Sequence, residues 1–457
     1  MNKKFPKCGY LAIALLALLL FAVQAVAAGS DEVVLNLLKE RVDNGYSVGM
    51  AVGVLNSDEV KFICYGKTSS GGAAVGENTI FEIGSISKVF TSLLLADAVE
   101  RGEVKYDDTV AGSLAAVVKI SGEVGLITLK NLSTQTSGLP RMPANFNPKN
   151  PADPYSDYFA KDLYAFLETV KLNSPPGKKY DYSNLGVGLL GNILETKLKG
   201  GYEKLVVERI CKVLNMSDTS VEVPKDKISR FSKGHAGTIE TSYWNLNALA
   251  GAGALRSTAK DIIQFLRAQM DPPKGNLGKA IVMTHEIFAP AGTPDLGITL
   301  GWHAFDKFGG RYYWHNGGTG GFRSFMGFDP AAKRAVVVLS NSSMDVADDI
   351  GLNILNAQFK LKPIKMPVVI DYKIYDEYIG EYEFAPGAIM TVTRDGDNLF
   401  AQLTGQEKCR IFPLSPKRFF YTVVEAEIEF ERNDKNITGS LILFQAGRKM
   451  EAKKYIK

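Results

Sequence analysis

The chain has 457 residues, 46% hydrophobic and 22% charged, which excludes disordered and fibrous classes and suggests two or three globular domains. It carries 53 basic and 49 acidic residues, a net charge of +4. Three of the basic residues, Lys3, Lys4 and Lys7, belong to the first segment, and 50 against 49 remain without it, so charge gives no sign of a nucleic-acid or anionic-membrane partner.

Residues 1–28 read as a secretory signal peptide: three lysines, the unbroken apolar run Leu11 to Val23, then the small-residue pattern Ala25-Val26-Ala27. The run ends at Gln24, short of the roughly 20 apolar residues of a spanning helix. Cys8 precedes the run and is not placed as a lipoprotein cysteine. The expected location is periplasmic or secreted, with no membrane span after cleavage.

Val48 to Leu55 and Glu59 to Tyr65 are an expected strand pair about the turn Asn56-Ser57-Asp58. A helix is expected from Ser85 to Glu100, with Gly102 just beyond it. Pro140 to Pro154, rich in Pro and Asn, reads as a long surface excursion. After Pro175-Pro176-Gly177 a helix is expected from Leu185 to Lys199, and another from Ser257-Thr258 through Leu266. Tyr312 to Trp314, Phe322 to Phe328 and Ala335 to Ser340 read as consecutive strands. Strands at both ends with helices between suggest an α/β (α+β) body over 29–360. Residues 361–369, with two prolines, read as a linker. Beyond it, Ile389 to Thr393 and Leu399 to Leu403 flank the turn pair Asp395-Gly396, and Ala426 to Glu431 and Leu441 to Gln445 are short strands. Residues 370–457 therefore read as a small antiparallel, barrel-like β domain with a covering, positioning or interface role.

Cys64, Cys211 and Cys409 are odd in number, far apart and without a CxxC pattern, so free thiols are expected. His235, His285, His303 and His315 show no zinc spacing; no metal and no cofactor are expected.

Two S-x-x-K patterns occur. In Ser257-Thr258-Ala259-Lys260, Thr258 stands three residues before Asp261 in a capping-box arrangement. Ser257 and Thr258 then read as helix caps and Lys260 as solvated. In Ser85-Ile86-Ser87-Lys88 the helix that follows is apolar almost all round, which marks it as buried. Lys88 then sits in the interior one turn from Ser85, and burial favours the neutral amine, which can accept a proton. A hydroxyl beside such an amine at a helix N-terminus has the parts of an activated nucleophile. The bland alternative is that Ser85 is only a cap. Tyr182-Ser183-Asn184, directly before a helix, has the same alternative through Ser183 or Asn184; otherwise Tyr182 shares a proton with Ser85 and Lys88, and Asn184 donates an amide. His315-Asn316-Gly317-Gly318, at a strand end, is either a glycine-rich hairpin or a site wall. As a wall, Gly317 clears space for substrate, and the Gly318 N–H pairs with that of Ser85 as an oxyanion hole.

In this order the three clusters resemble the penicillin-recognising serine hydrolases, whose signature is S-x-x-K, S-D-N and K-T-G. The resemblance is nearest to the branch of class C β-lactamases, D-amino-acid peptidases and related esterases, where the middle motif is Tyr-x-Asn. Thr136-Ser137-Gly138-Leu139-Pro140, Gly253-Ala254-Leu255-Arg256-Ser257-Thr258 and Gly320-Gly321-Phe322 are similar to that branch too. The resemblance spans about residues 30–350. It implies an antiparallel sheet flanked by helices, with a helical subdomain and the site between them; a trailing β domain occurs in some penicillin-binding-protein-like members. It further implies Ser85 as nucleophile, Lys88 and Tyr182 as general base and acid, Asn184 as a substrate-positioning group, and His315 lining the pocket where class C β-lactamases carry a lysine. A histidine there weakens the case for an efficient β-lactamase more than that for an acyl-transferring hydrolase, and Arg323 is a candidate for the missing charge. The expected activity is hydrolysis of β-lactams or of D-Ala-D-Ala-type, peptidoglycan-derived peptides through an acyl-enzyme. The alternatives are a carboxylesterase on the same scaffold and a non-catalytic penicillin- or peptide-binding protein.

Overall fold

The computed structural model describes residues 31–455 except 121, 345, 407 and 434–436. The leader expected at 1–28 lies outside the described residues. Among those described, no helix is long and apolar enough to cross a membrane.

The body is built on one antiparallel sheet of eight strands: β1 (Gly49–Asn56), β2 (Glu59–Gly66), β3 (Ala289–Pro290), β4 (Leu296–Ile298), β5 (His303–Lys307), β6 (Gly310–Gly318), β7 (Arg323–Asp329) and β8 (Arg334–Ser340). Their spatial order is β2-β1-β8-β7-β6-β5-β4-β3. The near-continuous apolar runs of β1 and β8 follow from burial on both faces. Val336 and Val338 pack with Leu37 and Leu38 of helix α1 (Asp31–Asp43). Val337 and Leu339, pointing the other way by the two-residue period, pack with Phe90 and Phe265. Phe90 lies in α2 (Ser87–Glu100) and Phe265 in α4 (Ala259–Met270), with α3 (Asn184–Leu198) beside α2 in the helical subdomain. As the all-round apolar pattern of α2 implies, every residue from Ser87 to Ala98 is buried.

Residues 380–455 close into an eight-stranded antiparallel barrel, β9 (Gly380–Ala385), β10 (Ala388–Asp395), β11 (Asn398–Leu403), β12 (Cys409–Pro413), β13 (Arg418–Tyr421), β14 (Ala426–Arg432), β15 (Thr438–Gln445) and β16 (Arg448–Tyr455). Segment 361–369 has no regular structure but is stitched to both neighbours. The Tyr46 hydroxyl donates to the Lys365 carbonyl (2.9 Å) and the Val368 N–H to that of Pro413 (2.9 Å). The barrel's Phe412 and Phe420 join the apolar cluster of Val34 and Tyr46. Pro140 to Pro154 carries no helix or strand, yet it is anchored: Asp153 is buried and accepts from the N–H and side-chain amide of Asn245 at 2.8 and 2.7 Å.

Candidate active site

Gly84 has φ +51°, in the left-handed region. It lets the chain turn out of the short strand Phe81–Glu82 into a 3-10 turn, Gly84–Ile86, ahead of α2. Ser85 thus rides on that turn and not, as the spacing suggests, on the helix itself. The turn abuts the end of β6, where a Cβ on Gly84 would lie 2.7 Å from the Gly318 nitrogen. Lys88, in the first turn of α2, is 1% exposed. Its Nζ lies 2.8 Å from Ser85 Oγ and donates to the Ala252 carbonyl at 2.7 Å. Burial, then the charge of Arg141, holds the Lys88 pKa well below that of an ordinary lysine, so its amine is drawn toward the neutral form. Tyr182 hydrogen-bonds Ser85, and burial pushes its phenol up. Hence an un-ionised phenol and a desolvated amine meet at one serine hydroxyl.

In Tyr182-Ser183-Asn184 the cap and the cleft wall fall on different residues. Ser183 is the cap of α3, accepting from the Gly186 N–H at 2.9 Å. The flanking Tyr182 and Asn184 line a cleft of about 690 Å³ with Ser85, Gly318 and Arg323.

With this geometry, residues 34–359 match the β-lactamase family. The chain belongs to that family. It is an enzyme of the serine-hydrolase type. Residues 365–454 match a domain of unknown function, DUF3471. Penicillin-binding protein 4* of Bacillus subtilis (strain 168) is 26% identical over 408 residues, covering 82% of this chain and 87% of that protein. The D-alanyl-D-alanine-carboxypeptidase/endopeptidase AmpH of Escherichia coli (strain K12) is 28% identical over 223 residues, 48% of this chain and 57% of its own length. A class C β-lactamase structure from Rhodobacter sphaeroides superposes with a TM-score of 0.63 at 22% identity, covering 71% of this chain and 98% of that one; it shares the fold.

Two expectations for the third β-lactamase motif need correction. His315 does not line the cleft: it is 2% exposed, lies behind the wall 5.2 Å from the His303 ring, and its Nδ1 is 2.6 Å from the Asn316 carbonyl. Burial, with His303 and Lys88 nearby, holds its pKa well below 6.5. The period of β6 explains this, since Tyr313, His315 and Gly317 share the inward face. Gly317 lines the cleft, but its missing side chain makes room for protein, because a Cβ there would lie 2.0 Å from the Ile83 carbonyl. Gly318 and Arg323 are paired across β6 and β7, and the Arg323 guanidinium covers Gly318.

Ser257 is not a cap. It lies in a two-residue strand, fully buried, with its hydroxyl 2.8 Å from that of Thr219. Thr258 alone caps α4, and Lys260 is exposed. Sequence reasoning missed Arg141, whose guanidinium lies 5.0 Å from the Tyr182 ring centre, and His303, which lines the cleft and meets the Tyr180 hydroxyl at 2.9 Å. It also missed Trp244. None of these carries a local motif; loops and a distant strand bring them in. Among the described residues, no group of three or more His, Cys, Asp or Glu could hold a metal.

Proposed function

We propose that this chain is an exported serine hydrolase that forms an acyl-enzyme on Ser85, acting on β-lactams or on D-Ala-D-Ala-type peptides derived from peptidoglycan. The observation that carries the reading is the desolvated Lys88 amine 2.8 Å from Ser85 Oγ. Ser85 Oγ attacks the carbonyl carbon while its proton passes to Lys88, and the carbonyl electron pair moves onto oxygen. The N–H groups of Ser85 and Gly318 hold that oxyanion. Collapse breaks the bond to the leaving amine, which takes up a proton through Tyr182; water then attacks the acyl-enzyme by the same route and restores Ser85. Asn184 positions the substrate amide, and Arg323 supplies the positive charge for a carboxylate that the buried, neutral His315 does not. Residues 29–360 do this chemistry, joined through 361–369 to the second unit, 370–457.

Support comes from the match to the β-lactamase family and from relatives named as a penicillin-binding protein and a D-alanyl-D-alanine-carboxypeptidase/endopeptidase. The neutral His315 favours carboxylesterase activity as the second reading. A colorimetric β-lactam, a D-Ala-D-Ala peptide and a p-nitrophenyl ester, assayed in parallel, separate the two. Turnover of the first pair supports the main reading; turnover of the ester alone supports the second.

A further inference from the structure

A second cavity, comparable in size to the cleft that holds Ser85, lies elsewhere among the described residues. It measures about 740 Å³ and lies where the barrel meets the body. An eight-stranded barrel is just wide enough to be filled by side chains or to hold one small ligand. This barrel does one at each end. One end is plugged by aromatic rings: Tyr378 stacks on Phe430 at 4.0 Å, with Phe419 set against both. The other end is lined by smaller or slimmer side chains, Met390, Ala401, Leu403, Ala426 and Leu443, with Tyr421 at one side. These leave the lumen open toward the body.

The open end adjoins the catalytic cleft. Trp244 lines both cavities, with Gly318 and Thr319 on the cleft side and Gly320 on the barrel side. The indole is seated on Gly320, where a Cβ would come within 2.6 Å of Nε1. Tyr155, a wall of the cleft, packs on its other flank at 5.2 Å. Its backbone is clamped from below. The Trp244 N–H donates to buried Glu82 (2.9 Å), its carbonyl accepts from Arg256 (3.1 Å), and Glu82 and Arg256 are themselves paired at 3.2 Å. Trp244 is therefore a fixed partition shared by the two chambers. Among the described residues, no lysine or arginine lines the barrel chamber, and the one acid that does, Glu240, is paired at the rim with Lys233 (3.2 Å).

We propose that the barrel lumen is an apolar subsite for an alkyl or acyl tail carried by the molecule whose carbonyl sits at Ser85. This rests on Ser85 being the nucleophile and extends that reading: the preferred substrates are esters or amides bearing an apolar chain. The chain crosses Trp244 and enters between β11 and β14, where Ala401 and Ala426 leave the space.

The test is a p-nitrophenyl ester series from acetate to decanoate. Each methylene that enters the lumen raises kcat/KM about fourfold, the factor expected for burying one CH₂. Ala401→Phe fills the lumen, and Leu403→Lys places a charge at its half-exposed mouth. Each variant is expected to lower kcat/KM for decanoate at least tenfold and leave acetate, which also reports folding, unchanged. Equal losses on both esters, or no chain-length dependence in the parent protein, overturn the proposal. A dansyl-labelled undecanoic acid, titrated into Ser85→Ala protein, separates the two layers. Its binding, lost on adding Leu403→Lys, supports the lumen even if Ser85 is not the nucleophile; no binding refutes the lumen even if Ser85 is.

Discussion

Replacing Arg141 with alanine probes the proposal that Lys88, its pKa held well below that of an ordinary lysine, is the base at the site. The Arg141 guanidinium and the Lys88 amine lie 5.0 and 4.9 Å from the centre of the Tyr182 ring, so they are at most about 10 Å apart. At about 10 Å a unit charge contributes about 0.4 kcal/mol in water and about 1.7 kcal/mol at an effective dielectric near 20. That corresponds to a few tenths of a pH unit up to about one. Arg141 is exposed, which favours the lower half of that range. The sign is fixed: a cation nearby disfavours protonated Lys88, so removing it raises the lysine pKa. The proposed mechanism needs the neutral amine, so it predicts that the acid limb of kcat/KM moves to higher pH in Arg141→Ala. Burial holds His303, which also lines the cleft, at about 4. The assay is a pH profile with an uncharged ester, so that substrate charge plays no part. Because the contribution crosses a solvated rim, it shrinks at about 1 M salt, where the screening length is about 3 Å. An acid limb that stays in place at low salt, or moves to lower pH, refutes Lys88 as the base.

Ser257→Ala is expected to leave turnover intact and to cost about 1 kcal/mol in urea denaturation, for one buried hydroxyl pair. Gly317→Ala sets a methyl against the Ile83 carbonyl next to the Ser85 turn; it is expected to abolish turnover and to lower stability by about 1–3 kcal/mol, read from the same melts. Arg323→Ala is expected to raise KM for carboxylate-bearing substrates about tenfold, the weight of one charge-assisted hydrogen bond, with neutral esters unaffected. Equal effects on both substrate classes would remove Arg323 from carboxylate binding.

The parts that were legible in the sequence are those where local pattern and tertiary role coincide. The all-round apolar helix after Ser85 could exist only inside the protein, and so it announced a buried Lys88. The hairpin was legible from its turn chemistry, with Gly396 at φ +54°, but Asp395 pairs with Asn398, so the turn pair is Gly396-Asp397, one position beyond the expected Asp395-Gly396. Four barrel strands escaped notice for the opposite reason. In β16 the sequence RKMEAKKY buries only Ala452, and a strand that gives one residue to the core has no alternation to read. The short strand β12 ends on Pro413, Pro416 stands between it and β13, and the stretch resembles loop. The 3-10 turn at Ser85 depends on the backbone of Gly318, more than 200 positions away, which no local window contains. His315 was misplaced because its chemical type was weighed above its position in β6, where the two-residue period puts it inward. Arg141, His303 and Trp244 have no signal of their own, because their roles arise only when loops and strands converge.

Covalent labelling of the intact protein reaches the nucleophile without regard to substrate. After incubation with a labelled penicillin or a fluorophosphonate, mass spectrometry with peptide mapping is expected to find one adduct, on the peptide containing Ser85, and none in Ser85→Ala. An adduct on Ser257, or labelling that persists without the Ser85 hydroxyl, contradicts an acyl-enzyme on Ser85.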